Sequence, residues 1–252
     1  MGPNRTGIGT SPLHSKEAIK SAEEGVPNPS FDTSAHHASA VSWARSVSPI
    51  GTMPPPASMK GAAKSMVQAI KGKHATAFID LLGERLAFER TGVRLYEALL
   101  CRFDAADLGE GSPTRAQLEH IRNEELQHFD LLNKAIQKLG ADPTTVTPSA
   151  DVTGVAGMGL LGVLSDARAT FTEGLKAILI AELADNDAWN SLAHIAKQLG
   201  QDDMAADFRQ ALEEEHEHLA SVRAWLDNAV QAQIGFEPQA VAPAPEQPQP
   251  GV

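Results

Sequence analysis

The sequence predicts an all-α fold: one four-helix bundle with a long crossover between its second and third helices, flanked by disordered tails. Three observations carry this expectation. Four long stretches repeat apolar residues at alternating steps of three and four, the spacing of a single helix face. Aromatic residues make up only 5 % of the chain, and helix formers dominate the four stretches. Turn signals separate them, at Ser112-Pro113, between Gly140 and Pro143, and at Gly200, leaving residues 140–165 as the longest internal connection.

Residues 1–57 are rich in Ser, Pro, Gly, Ala and Asn and show no sustained periodicity. They are expected to form a disordered or loosely attached arm, ending at Met53-Pro54-Pro55-Pro56. Residues 58–73 place Met59, Ala63, Met66 and Ile70 among lysines, the pattern of a short amphipathic helix suited to the bundle first, and otherwise to a partner or a membrane surface. The bundle itself spans 74–234. A Pro-, Gln- and Ala-rich tail, 235–252, is expected to be disordered.

The first bundle helix is expected over His74–Phe103, its seam running Phe78, Leu82, Leu86, Glu89, Val93, Tyr96, Leu100 with Arg85 at the edge. Gly83 and Gly92 weaken such a helix and so mark places where another group comes close. The second helix takes Ser112 as N-cap and Pro113 as its first residue, and stops before Gly140. Its seam is Leu118, Ile121, Glu125, His128, Leu132, Ala135, Leu139. The crossover is long enough to return along the bundle as extended chain, with a short turn at Leu160–Leu164. The third helix starts near Ser165 or Asp166 and carries Leu175, Ile178, Glu182, Asp185, Trp189 and Leu192 on its seam. Gly200-Gln201-Asp202 is so short a link that the third and fourth helices form an antiparallel hairpin. The fourth helix ends near Gly235, with Met204, Phe208, Ala211, Glu215, His218, Val222 and Trp225 on one face.

Each of the four seams therefore has a carboxylate at its middle: Glu89, Glu125, Glu182 and Glu215. Two of them add a histidine three residues later, His128 and His218, on the same face of the helix. A single glutamate within a helix usually lies on a solvated face, and one Glu-x-x-His pair is a weak signal; His120, His194 and His216 fall off the seams. Four centred carboxylates at once are a different matter, because burying them without compensation is prohibitive. Two divalent cations balance four glutamates, and carboxylate with imidazole suits iron or manganese. The six ligands, four of oxygen type and two of nitrogen type, match a known arrangement of di-metal carboxylate bundles.

Charge fits this reading. The chain carries a net −11, but residues 1–73 carry 8 Lys+Arg against 4 Asp+Glu, and residues 74–252 carry 13 against 28. An acidic body disfavours nucleic acid and attracts cations. The lone cysteine, Cys101, leaves no disulfide and no thiolate cluster. No apolar run reaches membrane-spanning length, and the N-terminus shows no secretory pattern, so a cytoplasmic protein is expected.

One Glu on the first helix, Glu-x-x-His on the second, one Glu on the third and Glu-x-x-His on the fourth resembles the ferritin-like superfamily, in particular bacterioferritin- and rubrerythrin-type di-iron bundles. The match falls on Glu89, Glu125–His128, Glu182 and Glu215–His218, within residues 74–234. Tyr96, seven after Glu89, resembles the tyrosine that bacterioferritins keep near their centre, and the long crossover fits the family topology. The resemblance implies two iron ions, or manganese, with Glu125 and Glu215 bridging or chelating and Glu89 and Glu182 as terminal ligands; which glutamates bridge stays open. Asp185 becomes either a seventh ligand or an acceptor for a ligand histidine, and Asn186 or Arg122 an outer-shell group. Leu126 stands where bacterioferritins place the haem-binding methionine, so no haem is expected. The Pro-rich tail takes the place of the fifth helix of ferritin cages, which argues against a 24-subunit cage, and one cysteine excludes a Cys₄ iron module.

The implied activity is reaction with O₂ or H₂O₂, in iron oxidation and handling or in peroxide detoxification, as ferroxidase, peroxidase or manganese catalase. Tyr96 would hydrogen-bond a ligand or donate an electron or proton. The electron donor is unspecified, and a homodimer or higher oligomer is expected. Two other readings stand beside it: an oxygenase or oxidase acting on an organic substrate, which requires an apolar pocket such as Gly92 would leave, and a non-enzymatic helical interaction or cargo module.

Overall fold

The computed structural model describes residues 34–47 and 73–236, with residues 16, 17, 20 and 24 besides. Most of the expected amphipathic segment 58–73 and of the 235–252 tail lies outside them. The chain divides into two units, Met1–Pro49 and Ile50–Val252. In the first, α1 (Ser34–Ser46) is a helix with no buried residue, inside a region where the sequence suggests no regular element.

The second unit holds α2 (Lys73–Ala105), α3 (Arg115–Lys138), α4 (Pro148–Ser165), α5 (Phe171–Gln198) and α6 (Asp202–Gln233). The helices α2, α3, α5 and α6 are the four seams of the sequence. Their buried apolar residues fall into two separate cores. At one end, Phe78 and Leu82 of α2 pack with Leu132 and Ile136 of α3, Trp189 and Leu192 of α5 and Phe208 of α6. At the other, Leu95 and Leu99 of α2 meet Leu118 and Ile121 of α3, Leu175 and Ile178 of α5 and Val222 and Trp225 of α6. Rising numbers on α2 and α6 thus meet falling numbers on α3 and α5, which sets the antiparallel order. Between the two cores lies one buried polar layer, and it contains every seam carboxylate.

Two helix starts differ from expectation, and each difference has a local cause. Helix α3 begins two residues late, with Thr114 as N-cap instead of Ser112. Only Thr114 has a glutamine three residues on, and Thr114 and Gln117 bond each other's backbone N–H as a capping box. Helix α5 begins at Phe171, not near Ser165, because Thr170 and Glu173 form a second such box. Asp166 instead ends α4 and binds Arg168.

The crossover is the largest correction. It is an 18-residue helix, capped by Thr147 with Pro148 in its first turn, where an extended segment is expected. Four glycines make this stretch a poor helix by propensity, but packing overrides propensity. Ala150, Gly157 and Leu164, seven apart, are its buried line. Ser149 binds Asp80 with its N–H at 2.9 Å and its hydroxyl at 2.7 Å, and Thr153 reaches Glu84 at 3.1 Å. At the far end Arg102 donates to the carbonyls of Leu164, Asp166 and Ala169. Helix α4 therefore runs beside α2 in the same direction and delivers the chain to the opposite end of the bundle. Gly83 marks the close approach expected of it: a Cβ there would lie 2.6 Å from the Thr147 side chain. Among the described residues, no helix is long and apolar enough to cross a membrane.

Candidate metal centre

The polar layer is closed off from the surface. Glu89, Glu125, Glu182, Asp185 and Glu215 are at most 1 % exposed, and His128 and His218 are 2 % exposed. The antiparallel packing brings the middle of every seam to one level, so the six expected groups converge. They form two overlapping sets: Glu125, Glu182, Glu215 and His218, and Glu89, His128 and Glu215; within each set the ligand atoms lie within 4.8 Å of one another. Glu215 is common to both. Its Oε1 lies 2.9 Å from His128 Nδ1 and its Oε2 3.4 Å from His218 Nδ1.

Each imidazole is aimed by a carboxylate from the opposite helix. His218 Nε2 of α6 bonds Glu124 of α3 at 2.9 Å, and His128 Nε2 of α3 bonds Glu214 of α6 at 2.7 Å. With the proton on Nε2 shared with that carboxylate, the Nδ1 lone pair points into the cluster. Trp189 fixes the His128 ring edge-on, with centroids 5.3 Å apart. Tyr96 donates its hydroxyl to Glu182 Oε1. Asn186 donates to the carbonyls of Glu182 and Glu215, each at 3.0 Å, and so ties α5 to α6 beside the cluster.

Gly92 explains how Glu125 gets in. A Cβ at position 92 would sit 2.1 Å from Glu125 Oε2. The missing side chain is the space that the Glu125 carboxylate fills.

Whether the residues fit metal is answered by their unused atoms. Both oxygens of Glu89 and of Glu215, one each of Glu125 and Glu182, and Nδ1 of both histidines are buried, and their close contacts are with one another and with Arg85. Buried polar atoms are normally satisfied. Hard oxygen and imidazole donors that meet within 4.8 Å of one another are the set that suits a first-row divalent ion.

Without a cation the cluster must hold protons instead. Burial, with Glu215 and Glu89 nearby, pushes Glu125 well above the usual carboxylate range, and burial takes Glu182 up to about 8. Burial opposes the charge on His128, yet Glu214 and Glu215 outweigh it and hold that imidazole near 9. Burial would raise Glu215 as well, but its bonds to His128 and His218 keep it near 2. Metal binding at neutral pH therefore expels protons.

Three residues that matter here escape the seam reading. Glu124 and Glu214 each stand directly before the seam glutamate, so both repeats read Glu-Glu-x-x-His, and the doubled glutamate was the available signal. Arg85, at the seam's edge, is buried; its Nε lies 3.0 Å from Glu89 Oε1 and its Nη2 2.8 Å from Asp185 Oδ1. Asp185 is accordingly neither in a ligand set nor an acceptor for a histidine. Arg122 lies 3.8 Å from Glu97. His120, His194 and His216 are exposed, as expected of residues off the seams.

A family model described as Ferritin, ferritin-like domain, matches residues 79–232. That range contains α3 to α5 whole, most of α2, all but the last residue of α6 and every residue of the cluster. No curated protein and no solved structure matches the chain.

Proposed function

The chain belongs to the ferritin-like family, and from that membership and the geometry of the buried cluster we propose a di-iron protein that reacts with O₂ or H₂O₂, in iron oxidation and handling or in peroxide detoxification. The observation that carries this reading is the pair of ligand sets sharing Glu215. Glu125, Glu182, Glu215 and His218 would hold one ion; Glu89, His128 and Glu215 would hold the other. When bound, the ions supply Lewis acidity and the electrons for reducing the oxidant.

The chain's own residues supply position and dryness. Glu124 and Glu214 keep both imidazoles in the metal-facing tautomer. Tyr96 restrains Glu182 through its hydroxyl, and the same hydroxyl is the one phenolic proton at the cluster. The two apolar cores close the layer above and below, which strengthens every electrostatic contact within it. Manganese suits the same donors, and catalase chemistry follows if manganese is resident. Glu125 fills the space beside Gly92, which favours small oxidants over an organic substrate at that position.

The test is an anaerobic ferrous titration followed by O₂ or H₂O₂. About two ferrous ions per chain, the number that balances four carboxylates, with a ferric absorption on oxidant addition, supports the proposal. Absence of both rejects it. Retention of ferric iron after many turnovers assigns iron handling, and oxidant loss without added iron or reductant assigns catalase.

A further inference from the structure

The two ligand sets share a plan but not its details. In each, a glutamate turns one oxygen toward a histidine: Glu182 Oε2 lies 3.9 Å from His218 Nδ1, and Glu89 Oε2 lies 3.8 Å from His128 Nδ1. In each, a residue of α2 holds the other oxygen. Tyr96 offers Glu182 Oε1 a neutral hydroxyl. Arg85 offers Glu89 Oε1 a guanidinium, with Nε at 3.0 Å. That guanidinium is braced: Nη2 lies 2.8 Å from Asp185 Oδ1 on α5, and the Phe88 ring centre lies 4.1 Å from its carbon. Both partners of the brace, Arg85 and Asp185, are buried. The sets also differ in number, since four residues meet in the Glu182 set and three in the Glu89 set.

We propose that Arg85, braced by Asp185, makes the two metal places unequal, so that the ion on Glu89, His128 and Glu215 binds second and exchanges first. The inference rests on the di-metal reading above. A guanidinium keeps its proton throughout the accessible pH range. A carboxylate that shares its charge with such a cation has less to give a metal ion, and in a closed layer solvent screens that competition little. Glu182, which faces a hydroxyl, keeps its charge for the other ion. That ion also has Glu125, which has no counterpart in the Glu89 set. Asp185 tempers the effect, because it draws on the same guanidinium and so returns charge to Glu89. Arg85 also lines a cleft of about 460 Å³ between α2 and α5, so the Glu89 place is one side chain from that cleft.

Arg85 is thus a positioning residue, and two variants should move the same binding step in opposite directions, which a merely structural ion pair would not do. Metal-free protein titrated calorimetrically with Mn²⁺ is expected to show two separate steps in the wild type. Arg85→Gln combined with Asp185→Asn replaces the ion pair by amides, and the glutamine nitrogen takes the position of Arg85 Nε. The later step should then tighten by roughly tenfold, the gap between a charge-assisted and a neutral hydrogen bond, with the earlier step in place. Asp185→Asn alone should weaken the later step, because the whole guanidinium charge then falls on Glu89. Glu89→Ala should abolish the later step and spare the earlier one. Release of Mn²⁺ to a chelator should be biphasic in the wild type, and its two phases should draw together in the double variant. Two equal steps in the wild type overturn the inference, as does a later step that the double variant leaves unchanged or weakens. Should the double variant not fold, the single variants decide: a later step unchanged or tightened in Asp185→Asn, or loss of the earlier step in Glu89→Ala, overturns it as well. Wild type without bound Mn²⁺ counts instead against the di-metal reading.

Discussion

Gly92→Ala separates the stability of the bundle from the integrity of its centre. The added Cβ lies 2.1 Å from Glu125 Oε2 and 2.8 Å from its carboxyl carbon, whereas ordinary contact begins near 3.4 Å. The carboxylate must retreat by about 1.3 Å, several times the ~0.2 Å latitude of a metal–ligand distance. What moves is the end of a flexible side chain, so the protein fold gives way cheaply. Against any residual strain, alanine in a helix interior gains about 0.8–1 kcal/mol over glycine. The metal-free variant should therefore melt within a few degrees of wild type. Its affinity for the ion held by Glu125, Glu182, Glu215 and His218 should fall by on the order of 10- to 100-fold, as when a ligand's support is disturbed. That corresponds to about 1.4–2.7 kcal/mol. Calorimetric titration with Mn²⁺ reads the affinity, and melts with and without chelator read the stabilisation by metal. A Gly92→Ala protein that binds both ions as wild type does would refute the placement of Glu125 against Gly92.

Other outcomes follow from the same geometry. Glu124→Gln and Glu214→Gln should each weaken metal binding by roughly 10- to 100-fold, with both proteins folded by circular dichroism; unchanged binding would mean that the imidazoles need no orienting carboxylate. Gly159 lies on an exposed helix face with nothing near its Cβ position, so Gly159→Ala should stabilise by up to about 1 kcal/mol in denaturant melts without altering metal content. Metal-free protein should lose stability as pH rises. Glu182 is raised from 4.5 to about 8 and His128 from 6.5 to about 9, so the folded chain binds more protons than the unfolded chain between 4.5 and 9. Glu215, lowered to about 2, acts oppositely, and its contribution is lost only as pH falls below 4.5. Bound metal replaces those protons, so stabilisation by metal should grow across pH 5–9; melts whose metal-induced shift shrinks with pH would contradict the proton–metal exchange.

The seams and their centred carboxylates were legible because burial on a bundle imposes a strict three–four repeat, and any charged residue that keeps the repeat stands out. Glu89, Glu125, Glu182 and Glu215 are all such exceptions. Groups that act from one helix onto another keep no repeat. Glu124 points away from its own seam toward His218 of α6, and Glu214 does the converse, so only their doubled position in both motifs betrays them. Arg85 and Asp185 looked like an edge residue and a spare ligand, because a pair between α2 and α5 is visible only once the helices are docked. Gly92 was recognised as a close approach, but the approaching group could not be named from α2 alone. The crossover helix was missed because its four glycines argue against helix, and what holds it is contact with Asp80, Glu84 and Arg102 on α2.

The central claim is that six side chains bind two ions around a shared carboxylate, and metal counting in single-ligand variants tests it most directly. Wild type should hold about two divalent ions per chain. Glu89→Ala and Glu125→Ala should each lose one, and Glu215→Ala, which removes the group common to both sets, should lose both while its helical content persists. Two ions retained in Glu215→Ala, or none in the wild type, would contradict the account.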